Sequence, residues 1–366
     1  MSRYLELAQR ELQRIHEQDR YRDLPVERTR FTADFSTNDY LGLATDSRMV
    51  EVMRHVKRVG SGGARLLGGA HPEHAFLEED LARWLARERA LLFSSGYLAA
   101  LGAIAVLARL TRVIYSDARN HASLIDGIRA AALPRTIYQH NQLPPLDERI
   151  PSALIVTESL FSMDGDLADI ASIVAQLGED DVLLVDEAHA LGVLGRQGGG
   201  LAHGLNDERI IVLGTLSKAI GAAGGFIAGP DKVIDLLINT ARTFIFDTAM
   251  PPAIAFAARV GVTLARNADD ARGRLRSKIA RTRYGLEGLG VPQMPLDSPI
   301  VPVPAGDESR ALLMMDRAIE RGVYAPAIRP PTVPEGSSCL RVSVRANHAD
   351  EEIDRLIEAL TCTAIS

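Results

Sequence analysis

The sequence predicts an α/β fold: a large domain built on a mostly parallel sheet, followed by a smaller C-terminal α+β domain. Three observations lead there. Short apolar runs alternate with helical stretches over about 200 residues, which is how βαβ units with buried parallel strands read. The alternation ends in a helix-rich stretch, Pro251–Leu289, and the strands beyond it follow a different pattern. With 366 residues, the chain is too long for one small core. The expected boundaries are 1–37 for an N-terminal helix and short β segment, 38–255 for the large domain and 256–366 for the small one.

Taken in order, residues 3–22 predict a helix with Leu5, Leu7, Leu12 and Ile15 on one face, ended by Pro25. A short β segment lies near Phe31–Phe35, and Val50–Val59 reads as helix. Buried strands are expected at Ala90–Phe93, Val113–Tyr115, Ala153–Thr157, Val182–Val185, Ile210–Leu213 and Gly225–Ala228, each a short apolar run between turn or charged residues. Helices are expected at Glu73–Ala86, Tyr97–Leu110, Ser123–Ala132 and Leu167–Leu177. The small domain supplies strands at Ile300–Val303, Gly322–Ala325 and Leu340–Val344. A last helix follows Asn347-His348-Ala349-Asp350 and places Ile353, Leu356 and Leu360 on its inner face.

Composition narrows the function. Hydrophobic residues at 46% and charged residues at 24% exclude disorder as the main state. Two cysteines, Cys339 and Cys362, are too few for a disulfide scaffold. A net charge of −6 argues against nucleic acid as a partner. The richest apolar run, Gly96 to Ala108, stops at Arg109, short of the ~18–20 residues of a membrane span. The N-terminus opens a charged amphipathic helix rather than a signal peptide, so a cytoplasmic setting is expected.

The sharpest local signal is Thr215-Leu216-Ser217-Lys218, directly after an apolar run and before Ala219-Ile220-Gly221-Ala222-Ala223-Gly224-Gly225. Small residues there let a ligand approach the backbone. A lysine amine whose pKa is lowered by desolvation or a cationic neighbour can form a Schiff base. The run Val182–Val185 ends in Asp186-Glu187-Ala188-His189, at the strand end where open α/β sheets bind ligands. A carboxylate there can keep a pyridine nitrogen protonated, or hold magnesium. The second use needs a Gly-x-x-x-x-Gly-Lys-Ser/Thr loop upstream, and the sequence has none. Ser94-Ser95-Gly96-Tyr97 reads as strand, polar turn and helix N-terminus, a cradle for an anion or a plain N-cap. Asn120-His121-Ala122-Ser123 places a histidine able to stack on a planar ring. The run from Gly60 to Gly69 follows no strand, does not fit a dinucleotide fingerprint, and reads as a flexible loop on the substrate side.

Assembled in this order, the chain resembles the α-oxoamine synthases, pyridoxal 5'-phosphate (PLP) enzymes of the aspartate-aminotransferase-like fold, fold type I. The resemblance runs from about Arg20 to Leu360. It is carried by Asn38-Asp39-Tyr40-Leu41-Gly42-Leu43, Gly60-Ser61-Gly62-Gly63, His121-Ala122-Ser123-Leu124, the run from Thr157 to Asp166, Asp186-Glu187-Ala188-His189, Thr215-Leu216-Ser217-Lys218, Met250-Pro251-Pro252-Ala253 and the run from Ala327 to Pro334. It implies that Lys218 holds the cofactor covalently, Asp186 pairs with its ring nitrogen, His189 and Ser162 meet its phenolic oxygen, and His121 stacks on its face. It further implies that Gly96, Tyr97, Thr215 and Ser217 take the phosphate, with Thr248 reaching the phosphate of a neighbouring subunit in a homodimer that shares its sites. Arg341 is expected on the amino-acid carboxylate with Asn38 beside it, Arg329 and Thr332 near the acyl substrate, and Arg20 or Arg22 on the acyl chain or its carrier. Departures from the family pattern are Tyr97-Leu98-Ala99-Ala100, Asp247 where serine is frequent, and Cys339 where arginine is frequent.

The implied reaction is a decarboxylative Claisen condensation of an amino acid with an acyl thioester. Ala327-Ile328-Arg329-Pro330 resembles the members that use L-alanine and pimeloyl-CoA or pimeloyl-acyl carrier protein. Members that use glycine are the nearest alternative. A partner subunit without catalysis and a nucleotide-binding protein are alternatives from other classes; the first is expected to lack Lys218, and the second rests on the Gly60–Gly69 loop.

Overall fold

The structure, a computed structural model, describes residues 2–22, 24 and 31–364. In chain order its elements are α1 (Arg3–Glu17), β1 (Ala33–Asp34), α2 (Ser47–Val52), α3 (Pro72–Leu85), β2 (Arg89–Phe93), α4 (Gly96–Leu107), β3 (Val113–Asp117), α5 (Ala122–Ala130), β4 (Arg135–Tyr138), β5 (Ala153–Glu158), α6 (Ile170–Ala175), β6 (Val182–Asp186), β7 (Ile210–Thr215), β8 (Gly225–Gly229), α7 (Asp231–Thr240), α8 (Arg242–Ile245), α9 (Pro252–Arg266), α10 (Asp269–Gly285), β9 (Ile300–Gly306), α11 (Glu308–Glu320), β10 (Val323–Tyr324), β11 (Ala327–Ile328), β12 (Ser338–Ser343) and α12 (Asp350–Ala364). The chain divides into two units, Asn38–Ser162 with Asp166–Gly273, and Met1–Thr37 with Met163–Gly165 and Arg274–Ser366. The division falls within α10.

The larger unit holds a seven-stranded sheet in the order β2-β8-β7-β6-β5-β3-β4. Strands β7, β6, β5, β3 and β4 pair in parallel, while β8 runs antiparallel to both its neighbours. Every residue of β3, β5, β7 and β8 is buried, which is why these strands read as unbroken apolar runs rather than as alternation. One face is covered by α4, α5, α7 and α8, whose Ile104, Leu107, Leu124, Ile128, Leu237 and Phe244 pack on Leu91, Phe93, Leu154 and Leu213. Each large side chain buried this way contributes about 1.5–3 kcal/mol. Helix α4 is apolar on nearly every side and mostly buried, as a helix enclosed on several faces must be.

The smaller unit holds an antiparallel sheet, β11-β12-β9, and a parallel pair, β1 with β10, that ties the N-terminal segment into it. Ile353, Leu356 and Leu360 of α12 are fully buried. Lys278 and Arg281 pair with Asp350, and Arg281 also with Asp354.

Several elements differ from expectation. Helix α1 stops at Glu17 and buries none of its residues, so its apolar stripe faces away from the core of its own unit; Pro25 lies outside the described residues. The helix expected at Val50–Val59 ends at Val52 and tightens into a 3-10 turn, Met53–His55. The one expected at Leu167–Leu177 starts only at Ile170, because Asp169 caps it by accepting the Ser172 N–H at 2.9 Å. Strand β4 was not anticipated: Arg135, Thr136 and Ile137 are exposed on the sheet edge, and a polar edge strand lacks the apolar run that reveals a central one. Within the Gly60–Gly69 loop, Ser61, Ala64 and Gly69 are buried while Leu66, Leu67 and Gly68 are exposed. Ser61 donates to the Met250 carbonyl at 2.6 Å, and a Cβ on Gly69 would meet the Gly63 oxygen at 2.0 Å.

Candidate active site

A cavity of about 230 Å³ opens where parallel strands end in the larger unit. Glu158 closes β5, Asp186 closes β6, Thr215 closes β7, and all three line it. Such strand ends are where open α/β sheets place their ligands. Gly96, Tyr97, His121, His189, Ser217 and Lys218 line the same cavity.

One end gathers donors. Ser95 caps α4, its Oγ accepting the Leu98 N–H at 3.2 Å. As the first residues of the helix, Gly96 and Tyr97 have N–H groups with no intrahelical acceptor. The Thr215 Oγ1 and Ser217 Oγ lie 2.8 Å apart beside them. A Cβ on Gly96 would come within 3.3 Å of the Thr215 side chain. Unpaired N–H groups and hydroxyls at a helix N-terminus suit a phosphate dianion.

The other end carries the charge. Asp186 is buried, and one of its oxygens accepts the Ala188 N–H at 2.8 Å. Burial raises its pKa, while Lys218 opposes the rise. Lys218 is half-buried in a loop fixed by its own backbone: Leu216 donates to Gly224 at 2.9 Å and Gly221 to Lys218 at 2.8 Å. The glycines there serve chain packing more than ligand access. Gly221 has φ +74°, and a Cβ on it would meet the Ala44 nitrogen at 2.4 Å.

His121 is exposed by area at the mouth, yet protein crowding its ring lowers its pKa; Asp186 opposes that shift and Lys218 reinforces it. Its Nδ1 accepts the Ser123 N–H at 3.2 Å, so the proton of the neutral imidazole sits on Nε2. His189 contacts the Tyr40 hydroxyl through Nδ1 at 2.7 Å, and that hydroxyl donates to Asn38 Oδ1 at 3.1 Å. Tyr40 lies in the Asn38–Leu43 motif, and only the fold brings it to His189.

Ser162 is buried but is not among the residues lining the cavity. Thr248 is exposed and borders a separate small pocket with Asp247, whose carboxylate is bound by the Ser94 hydroxyl. Arg20, Arg329, Thr332 and Arg341 belong to the smaller unit. Arg20 bonds Glu308 and Glu335, at 3.0 and 2.9 Å. Arg329 donates to the carbonyls of Asp19 and Tyr21, and Arg22 to that of Pro330. Arg341 is buried on β12 and donates to Ser343 Oγ at 2.7 Å. Cys339, two residues earlier, is buried, which pushes its thiol pKa to about 11 and leaves it unreactive.

Beyond the cavity, His140 bridges Asp117 at 2.8 Å and Asp166 at 2.7 Å. Burial alone would lower its pKa, but the two carboxylates outweigh burial and raise it to about 9. A folded pKa above the unfolded one means that this contribution is complete below about pH 6.5 and is lost as pH rises through about 9. His140→Gln is therefore expected to cost about 1–2 kcal/mol at pH 6.5, after allowance for solvent screening, and much less at pH 9.5. Thermal denaturation at the two pH values measures the difference.

Among the described residues no helix is long and apolar enough to cross a membrane, and no group of His, Cys, Asp and Glu could hold a metal.

A large, mostly parallel sheet with a lysine and a carboxylate facing a donor-rich cavity is the architecture of the fold type I PLP enzymes. The aminotransferase class I and II family model matches residues 32–360, and the chain belongs to this family, in its α-oxoamine synthase branch. The 8-amino-7-oxononanoate synthase of Alkalilimnicola ehrlichii is 44% identical over 339 residues, 89% of this chain and 86% of that protein. A solved 8-amino-7-oxononanoate synthase from Francisella tularensis superposes with a TM-score of 0.77 at 28% identity, covering 91% of this chain and 98% of that one. A serine palmitoyltransferase structure containing PLP gives 0.88 at 27% identity, covering 98% and 96%. PLP is the cofactor of this class. The cavity's residues fit it: unpaired helix N–H groups and hydroxyls for a phosphate, Asp186 for a ring nitrogen, and Lys218 for the aldehyde.

Proposed function

We propose that the protein condenses L-alanine with a pimeloyl thioester, on coenzyme A or acyl carrier protein, releasing CO2, the thiol and 8-amino-7-oxononanoate, a step of biotin synthesis. The observation carrying this reading is the single cavity holding Lys218, Asp186 and His121, in a chain 44% identical to a protein named for that reaction. When bound, PLP supplies a conjugated cationic ring that delocalises the electron pair left on the amino acid's α carbon.

The chain's part is positioning and proton handling. Asp186 keeps the ring nitrogen protonated. Gly96, Tyr97, Thr215 and Ser217 hold the phosphate, and Thr248 is assigned to the partner subunit's phosphate in a homodimer. His189 meets the phenolic oxygen, with Ser162 beside it. Lys218, once free of the cofactor, takes the α proton of alanine as a general base and later returns a proton. His121 covers the ring and donates from Nε2 to oxygen as negative charge develops there. By the family resemblance Arg341 takes the amino acid's carboxylate, helped by Asn38, through the fork geometry that suits arginine. Arg329 and Thr332 are assigned to the acyl side. Arg20, paired with Glu308 and Glu335, is assigned by the same resemblance to the acyl chain or its carrier. The same resemblance supports a cytoplasmic setting.

Initial rates with L-alanine, glycine and L-serine, each with pimeloyl-CoA and with pimeloyl-acyl carrier protein, test the reading. Alanine is expected to be preferred by at least about tenfold, the discrimination a single methyl group provides. A preference for glycine would reassign the chain within the family.

A further inference from the structure

The cavity contains two carboxylates, and the chemistry above uses one. Glu158 and Asp186 are register partners at the ends of adjacent parallel strands, so their side chains leave the same face of the sheet. Both are buried and both line the cavity, which Lys218 also lines. Glu158 Oε1 accepts the backbone N–H of His121 at 2.6 Å. That bond fixes the start of α5, while Ser123 fixes the imidazole through Nδ1. The placement of the His121 ring thus depends on an anchor at each end.

We propose that Glu158 is a positioning residue held as a neutral carboxylic acid, whose carbonyl oxygen anchors His121 beside the cofactor without placing a second negative charge next to Asp186. This rests on the reading of the cavity as a PLP site. The charge balance favours it: one ionised carboxylate matches one protonated ring nitrogen, and two adjacent buried carboxylates do not both ionise readily. Burial and the charge of Asp186 both push the Glu158 carboxyl upward, against the pull of Lys218 and the His121 N–H. Both oxygens of an ionised carboxylate accept bonds equally; a neutral acid keeps one carbonyl acceptor and gains a donor.

The test uses the PLP-loaded protein and the variants Glu158→Gln and Glu158→Ala, each alone and combined with His121→Ala. Three readouts need no acyl substrate: the infrared band of a protonated carboxyl, the visible circular dichroism of the bound cofactor, and exchange of the alanine α hydrogen with solvent deuterium. The wild type is expected to show a carboxylic-acid band that disappears in Glu158→Gln. Glu158→Gln keeps an acceptor oxygen, so its dichroism and exchange rate should stay close to those of the wild type. Glu158→Ala should change the dichroism and slow exchange about 10- to 100-fold, the cost of a displaced catalytic group. In the His121→Ala background it should add nothing. The proposal is overturned if the acid band is absent, if Gln is as damaging as Ala, or if the Ala effect persists without His121. A Glu158→Ala protein that does not fold leaves the infrared band and Glu158→Gln to decide. A wild type that takes up no PLP overturns both this proposal and the reading beneath it, whereas changes confined to the variants bear on Glu158 alone.

Discussion

Lys218→Ala is expected to lower turnover by at least about 10⁴-fold, some 5.5 kcal/mol of transition-state stabilisation. Two functions fall on this one nitrogen in the proposed scheme: covalent attachment of the cofactor, and proton transfer at the α carbon of alanine. Alanine at 218 offers neither. The path of the loop carrying Lys218 is fixed by backbone bonds from Leu216 to Gly224 and from Gly221 to Lys218 rather than by the amine. The phosphate end, made of Gly96, Tyr97, Thr215 and Ser217, is likewise untouched. The variant should therefore fold, bind PLP without covalent attachment, and absorb like the free aldehyde. Steady-state rates and the visible spectrum of the dialysed variant check both statements.

Asp186→Asn is the second large effect, expected to slow turnover by about 10²–10⁴-fold, or about 3–5 kcal/mol. A carboxylate beside a protonated ring nitrogen interacts with it by about 4 kcal/mol at 4 Å and an effective dielectric near 20, before desolvation. An amide has no charge with which to hold that proton, so the ring becomes a poorer acceptor of electrons. Burial alone pushes the Asp186 carboxyl toward its neutral form, and a cationic partner is what restores the charge. Asparagine keeps the side chain's size and an acceptor for the Ala188 N–H, so cofactor content should change little. Rates of alanine α-hydrogen exchange, compared with bound cofactor per subunit, separate the loss of chemistry from loss of binding.

Much of the fold is legible in the chain because the central strands are buried on both faces. Val182–Val185 and Ile210–Leu213 can be read as strands without knowing their neighbours, and the polar residues closing them, Asp186 and Thr215, then fall at the ligand-binding end. The gathering of Lys218, Asp186, His121 and His189 in one cavity follows from that topology. What stays hidden depends on long-range partners. Strand β4 forms against β3 despite its exposed residues, and nothing local in Arg135-Thr136-Ile137 signals the pairing. Tyr40 is far from His189 in sequence, so their 2.7 Å contact can be seen only once the chain is folded. Glu158 reads as one more polar residue in a motif until the register of β5 and β6 sets it against Asp186. Likewise, the ion pairs that hold Arg20 come from residues about 300 positions away, beyond any pattern of spacing.

The central claim is that the side-chain nitrogen of Lys218 bonds covalently to pyridoxal phosphate. Reduction of the loaded protein with tritiated borohydride, followed by digestion and peptide mapping, tests it most directly. The account predicts one labelled pyridoxyl-lysine per subunit, in the peptide containing Thr215-Leu216-Ser217-Lys218. Label on a different lysine, or no label on a protein that holds the cofactor, would contradict it.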